Sequence, residues 1–138
     1  MVEKIVKDGS EFRLEHDSIG TKEVPIDAYF GVQTLRAYEN FRITGLKMHP
    51  EIITSLAQIK KPAAITNCEV GTLEKSIAEA IVKATGEIAE GKFRKYFIVD
   101  PIQGGAGTSL NMNANEVIAN RAIEHLGGEK GDYHLVNP

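Results

Sequence analysis

Gly104, Gly105 and Gly107, followed by Thr108, Ser109 and then by Asn111, Asn113, Asn115 and Asn120, are the residues whose types and spacing could do chemistry. Glycines let the backbone adopt conformations closed to other residues and approach a ligand closely. A helix starting just after them would aim free N–H groups and its positive dipole end at a carboxylate or phosphate. Thr108 and Ser109 add hydroxyl donors, and the asparagines add groups that donate and accept without carrying charge. The chemistry of such a set is anion binding and the stabilisation of developing negative charge. The same residues also describe a tight connection in which Thr or Ser caps a helix. A nucleotide P-loop is a poor match because no lysine follows Gly107. The dinucleotide fingerprint fails at its third glycine. Asparagine is a weak helix former, and a buried one needs a partner from backbone, water or ligand.

The elements that would position this loop follow from periodicity and punctuation. The spacing predicts a helix from about 108 to 126, stopped by Gly127 and Gly128. Residues 92–99 read as a short extended run or turn leading Phe97, Ile98 and Val99 into the glycines. A helix over about 73–90 carries Leu73, Ile77, Ile81, Ala84 and Ile88 and ends near Gly91. Another starts at Pro50 and runs to about Val70, closed by Gly71, with Ile52, Ile53, Leu56, Ile59 and Ala63 as its apolar stripe. Pro62 requires that helix to kink or restart. Asp27 is expected to cap a helix over about 28–40, with Tyr29, Val32, Leu35 and Tyr38 near one face. Phe12, Leu14 and Ile19 suggest a short extended segment turning at Gly20. Residues 1–10 read as a flexible leader and 11–138 as one domain. The fold class is mainly α, with a short extended segment or small hairpin at its edge.

Composition narrows the function. The 138 residues suffice for one core without disulfides or metals. A net charge of −3 with mixed signs gives no basic footprint, so nucleic acid is not an expected partner. No apolar run has the length of a membrane span or a signal peptide, and a cytoplasmic protein is the expectation. Cys68, the single cysteine, reads as a small buried filler. His16, His49, His125 and His134 lack the spacing of a metal site and read as surface or packing residues. Glu116 reads as a helix-capping or ion-pairing residue.

Residues 100–122, DPIQGGAGTSLNMNANEVIANRA, resemble the first of three sequence-distant regions that build the active site of the aspartase/fumarase superfamily. Residues 13–41, residues 59–74 and the final HLVNP resemble the same family, so the likeness covers nearly the whole chain. Within it, class II fumarases typically read Gly-Ser-Gly-Thr-Gln-Thr-Asn-Met-Asn, whereas this chain has Gly105, Ala106, Gly107, Thr108, Ser109, Leu110, Asn111, Met112, Asn113. Ala106 lacks the hydroxyl a fumarase would use, and Asp100, Pro101, Ile102 and Gln103 resemble the aspartate ammonia-lyase branch.

The resemblance implies the N-terminal domain of a much longer lyase that eliminates ammonia from L-aspartate to give fumarate, works without a cofactor, and assembles as a homotetramer. It places Thr108 first among substrate contacts, Ser109 and Gly107 next, and Asn111 and Asn113 as residues that shape the loop more than touch the ligand. Arg36, in the family's N-terminal motif, would orient a carboxylate or form a structural ion pair. Asn137 would line a secondary anion site. The serine loop that carries the family's base has no match here, so no catalytic residue is assigned and the isolated chain is expected to be inactive. The alternatives are a fragment of a class II fumarase, or a non-catalytic module that binds a dicarboxylate or supports assembly.

Overall fold

The computed structural model describes residues 11–138, and the expected leader lies outside them. Among the described residues the chain forms an antiparallel hairpin followed by four helices. Strands β1 (Phe12–Asp17) and β2 (Gly20–Pro25) pair in a register running from Phe12 opposite Pro25 to Asp17 opposite Gly20. The Asp17 carboxylate accepts from the Ile19 amide at 3.0 Å and tightens the turn, which Gly20 closes at φ +129°. The helices are α1 (Val32–Asn40), α2 (Pro50–Glu69), α3 (Lys75–Ala89) and α4 (Thr108–His125), with a 3-10 turn over Arg94–Tyr96. The expected run at 92–99 is therefore a turn. α4 is central, packing on α1, α2 and α3, and its Val117, Ala122 and Ile123 are fully buried with Phe30, Phe97 and Ile88.

α1 begins at Val32, later than expected, and Asp27 is exposed and caps nothing. Arg13 supplies the reason. Its guanidinium donates to the carbonyls of Pro25, Ile26, Ala28 and Phe30 at 2.9–3.0 Å, which holds 25–30 in an irregular course whose carbonyls are unavailable to a helix ladder.

α2 starts at Pro50 in its first turn, and the His49 ring accepts from the Glu51 amide at 3.2 Å. It continues through Pro62 as one helix. Its buried face is Ile53, Ala57 and Ala64, with Leu56 packed against the core, so the expected stripe holds at Ile53 and Leu56 and fails at Ala63, Ile52 and Ile59, the last two 45% and 65% exposed. The partner helix α3 also buries small residues, Ala78, Ala80 and Ala84, and small side chains let two helix axes approach. Cys68 is half-buried, short of the buried filler expected. α4 ends with Gly127 at φ +83° and the Gly128 amide bonded back to the Ile123 carbonyl at 3.0 Å.

Candidate functional site

Two side chains build the glycine loop. Gln103 donates to the Asp100 carbonyl at 2.9 Å and accepts from the Leu110 amide at 2.8 Å, so it staples the loop shut and caps the first turn of α4. Neither Thr108 nor Ser109 makes a side-chain cap, and Gly107, at φ +71°, occupies the cap position. The Asp100 carboxylate accepts from the amides of Ile102, Thr44 and Gly45 at 2.7–2.9 Å and from the Thr44 hydroxyl at 2.9 Å. Burial alone would raise its pKa, but the bonds from Ile102, Thr44 and Gly45 together hold it at about 2. Gln103 and Asp100 fix where Thr108 stands. The Thr108 side chain is exposed on the first turn of α4.

The buried asparagines find their partners in the backbone and, for Asn120, in one side-chain hydroxyl as well. Asn113 is fully buried, accepts from the Ile98 amide and donates to the Tyr96 carbonyl, both at 3.0 Å. Asn120 donates to the Tyr29 carbonyl at 2.9 Å and to the Tyr133 hydroxyl at 3.1 Å, and accepts from the Gly131 amide at 2.7 Å. These two hold neighbouring segments in shape. Asn111 is exposed and accepts from Lys60 at 2.9 Å.

The N-terminus of α1 has no local cap, and its four leading amides are taken by two carboxylates from other elements. Glu116 of α4 accepts from Gly31 at 2.8 Å, Gln33 at 2.9 Å and Thr34 at 3.0 Å, while Glu15 of β1 accepts from Val32 at 2.8 Å. Glu116 is thus a capping residue, for a different helix from its own. Glu15 is also paired with Arg13 and bonded by the Tyr133 hydroxyl at 3.0 Å. Burial pushes the Glu116 carboxyl up, against the downward pull of the Thr34 hydroxyl and of the Thr34, Gln33 and Gly31 amides.

Beside this junction lies a cavity of about 600 Å³ whose lining includes Gln33 and Arg36 of α1, Ser109 and Glu116 of α4, and Asn137. The structure therefore brings Arg36, Ser109 and Asn137 to one space. Arg36 makes a two-point pair with Asp17 at 2.8 and 3.1 Å and donates to the Gly20 carbonyl at 3.1 Å. That guanidinium holds the Asp17 carboxyl below the usual range. Gly107 lines a separate cavity with Gln103 and Met48. Sequence reasoning missed Glu15 and Tyr133 altogether, because no spacing rule joins residues so far apart in the chain.

Helices packed around a central one, with a small antiparallel hairpin at the edge, are the architecture of the fumarate lyase and fumarase fold. The chain belongs to the lyase family, whose profile matches residues 20–137. An aspartate ammonia-lyase from a Bacillus species is 60% identical over 129 residues, covering 94% of this chain and 28% of the relative. That of Bacillus subtilis (strain 168) is 58% identical over 128 residues, covering 93% and 27%. The native form of a fumarate lyase:delta crystallin from Brucella melitensis superimposes with a TM-score of 0.91 at 49% identity, over 93% of this chain and 30% of that one. A class II fumarase from Schistosoma mansoni gives 0.84 at 38% identity, over 88% and 26%. The chain spans just over a quarter of the length of the relatives it matches, in their N-terminal part. No helix among the described residues is long and apolar enough to cross a membrane.

Proposed function

We propose that residues 11–138 form the N-terminal domain of an aspartate ammonia-lyase and supply its first substrate-binding region. The observation that carries this is the 60% identity to an aspartate ammonia-lyase across 94% of the chain, glycine loop included. In this reading a base from another region removes a proton from the carbon beside the aspartate side-chain carboxylate. That carboxylate then holds two negative charges until ammonia leaves from the neighbouring carbon and fumarate forms. Fixed donors aimed at the developing charge lower the barrier. Thr108 is the first contact here, at the start of α4 where the helix dipole favours an anion. Ser109 and the Gly107 backbone support it, Arg36 and Asn137 face the adjoining cavity, and Asn111 shapes the loop.

The remaining regions, a cytoplasmic setting and a homotetramer belong to the same proposal, which requires no cofactor and leaves the isolated chain inactive. The test joins this chain to the missing regions of an aspartate ammonia-lyase and follows fumarate absorbance with L-aspartate and with malate. Aspartate turnover that drops at least about 100-fold in Thr108→Ala, the scale of a lost transition-state donor, supports it. Turnover of malate alone would assign a fumarase instead, although Ala106 speaks against that.

A further inference from the structure

We propose that Glu116 is a positioning residue: its carboxylate docks the N-terminus of α1 onto α4, sets the two sides of the 600 Å³ cavity against each other, and releases that docking when it takes up a proton. Its bearing on ligand binding rests on the function proposed above, whereas the docking itself does not.

The geometry makes one side chain the joint between two elements. Glu116 is 1% exposed and uses both carboxylate oxygens to accept from three amides of α1. Those bonds span more than eighty positions of sequence, so they tie α1, which carries Gln33 and Arg36, to α4, which carries Ser109. Gly31 is what admits the carboxylate: a Cβ there would lie 2.8 Å from Glu116 Oε1 and 2.5 Å from Glu15 Oε2.

Among the described residues no cation pairs with Glu116. From β1 it faces Glu15, whose negative charge is matched by Arg13. His16 and Asp17 of β1 lie at the cavity edge, and Asp17 is taken up with Arg36 of α1. From the C-terminal turn comes the Tyr133 hydroxyl, which burial and the two glutamates keep protonated, so that it donates to Glu15. Among the described residues, the amides of Gly31, Gln33 and Thr34 donate to Glu116, and the buried Thr34 hydroxyl, which has no other partner, adds to their downward pull on its carboxyl. Amides can satisfy an anion, but a protonated carboxyl sets its own O–H against donors that need both oxygens. Burial favours that proton.

The test is an amide-resolved NMR titration of the labelled chain from about pH 8 to about pH 5, with hydrogen exchange at each step. The amides of Gly31, Gln33 and Thr34 are expected to shift with one common midpoint, and their exchange to rise about tenfold beyond the intrinsic pH dependence, while the Phe41 amide at the far end of α1 keeps its protection. Glu116→Gln is expected to show the acid pattern at neutral pH and lose the pH dependence. If that variant does not fold, the titration of the unmodified chain still decides. Flat behaviour of the three amides, or their movement only together with every other amide, overturns the docking. Fumarate added to the same samples separates the two ideas. Shifts at Arg36 and Ser109 that weaken about tenfold in the acid form support both, while titrating amides with no fumarate response at Arg36, Thr108 or Ser109 leave the docking standing and overturn the ligand role of the cavity.

Discussion

Gly31→Ala is the sharpest perturbation of the α1–α4 junction. Gly31 has φ −119°, which any residue adopts, so an effect of alanine cannot come from backbone strain. It must come from space. The added methyl would lie inside contact distance of the Tyr133 hydroxyl, 2.5 Å from Glu15 Oε2 and 2.8 Å from Glu116 Oε1. All three atoms end side chains, which ordinarily swing aside. Here Glu15 and Glu116 are 4% and 1% exposed, and each leaves its amides if it moves. Overpacking costs about 1–3 kcal/mol, and a hydrogen bond to a charged group is worth about 1.5–3 kcal/mol. A loss of about 3–5 kcal/mol follows, at the severe end for a single substitution. With a urea slope of about 1–3 kcal/mol per molar, the unfolding midpoint should fall by roughly 1–5 M with the slope unchanged. Tyr133→Phe gives up the bonds to Glu15 and Asn120 but also removes one of the crowding oxygens, so the loss in the double variant should fall about 1 kcal/mol short of the sum of the two single losses. Gly86→Ala is the control: that glycine lies inside α3 with nothing within 4 Å of its Cβ position, and alanine there should stabilise by about 0.5–1 kcal/mol. A Gly31→Ala midpoint within about 0.5 M of the parent would refute the account, because the junction would then yield at no cost.

The two asparagines of the first turns of α4 should separate cleanly. Asn113→Ala strands the Ile98 amide and the Tyr96 carbonyl in the core and is expected to lose about 2–4 kcal/mol in urea unfolding, while Asn111→Ala, which frees only an exposed bond to Lys60, should stay within about 0.5 kcal/mol. Equal losses would contradict the assignment. The Arg121 bond, supported by His125, holds the Glu87 carboxyl at about 2 against burial and below its ordinary 4.5. A depressed folded-state value means stability that is present above pH 4.5 and lost as pH falls toward 2. Glu87→Gln should therefore be less stable than the parent by about 1 kcal/mol at neutral pH, a figure discounted for solvent screening, with the gap closing on acidification. A gap that stays constant down to about pH 2.5 would place the effect elsewhere.

Local rules read most of the elements and none of the long-range bonds. The hairpin turn at Gly20, the proline start of α2 and the glycine stops after α2, α3 and α4 are written in short patterns, and they fall close to where they were expected. The start of α1 is not, because its first four amides are satisfied from Glu15 and Glu116, 17 and 82–85 positions away. An Asp27 cap is the local answer, and Arg13 overrides it by collecting the carbonyls of 25–30. The face of α2 is legible only in part: of the expected stripe Ile53 is buried and Leu56 packs against the core, but Ile52, Ile59 and Ala63 face outward and Ala57 and Ala64 turn inward, as an alanine-lined partner helix allows. At the site, the glycine loop is legible from composition. Spacing alone would not bring Arg36, Ser109 and Asn137 to one cavity, since that depends on how α1 is docked.

That docking explains why α4 is rich in polar residues where a central helix would usually be apolar. Asn113, Glu116 and Asn120 follow one another at intervals of three and four, so they share one face, and all are at most 1% exposed. Each one satisfies a different stretch of backbone: Asn113 holds 96–98, Glu116 holds 31–34, and Asn120 holds Tyr29 and Gly131. None of these stretches belongs to a sheet or lies in a helix interior, so their buried amides and carbonyls need side-chain partners. An apolar α4 would bury more carbon but leave those groups unpaired, at about 1–3 kcal/mol for each. The polar stripe is thus the means by which irregular backbone is carried into the core. The first turn of the same helix presents Thr108 and Ser109, which places the candidate anion site on the element to which most of the domain is tied.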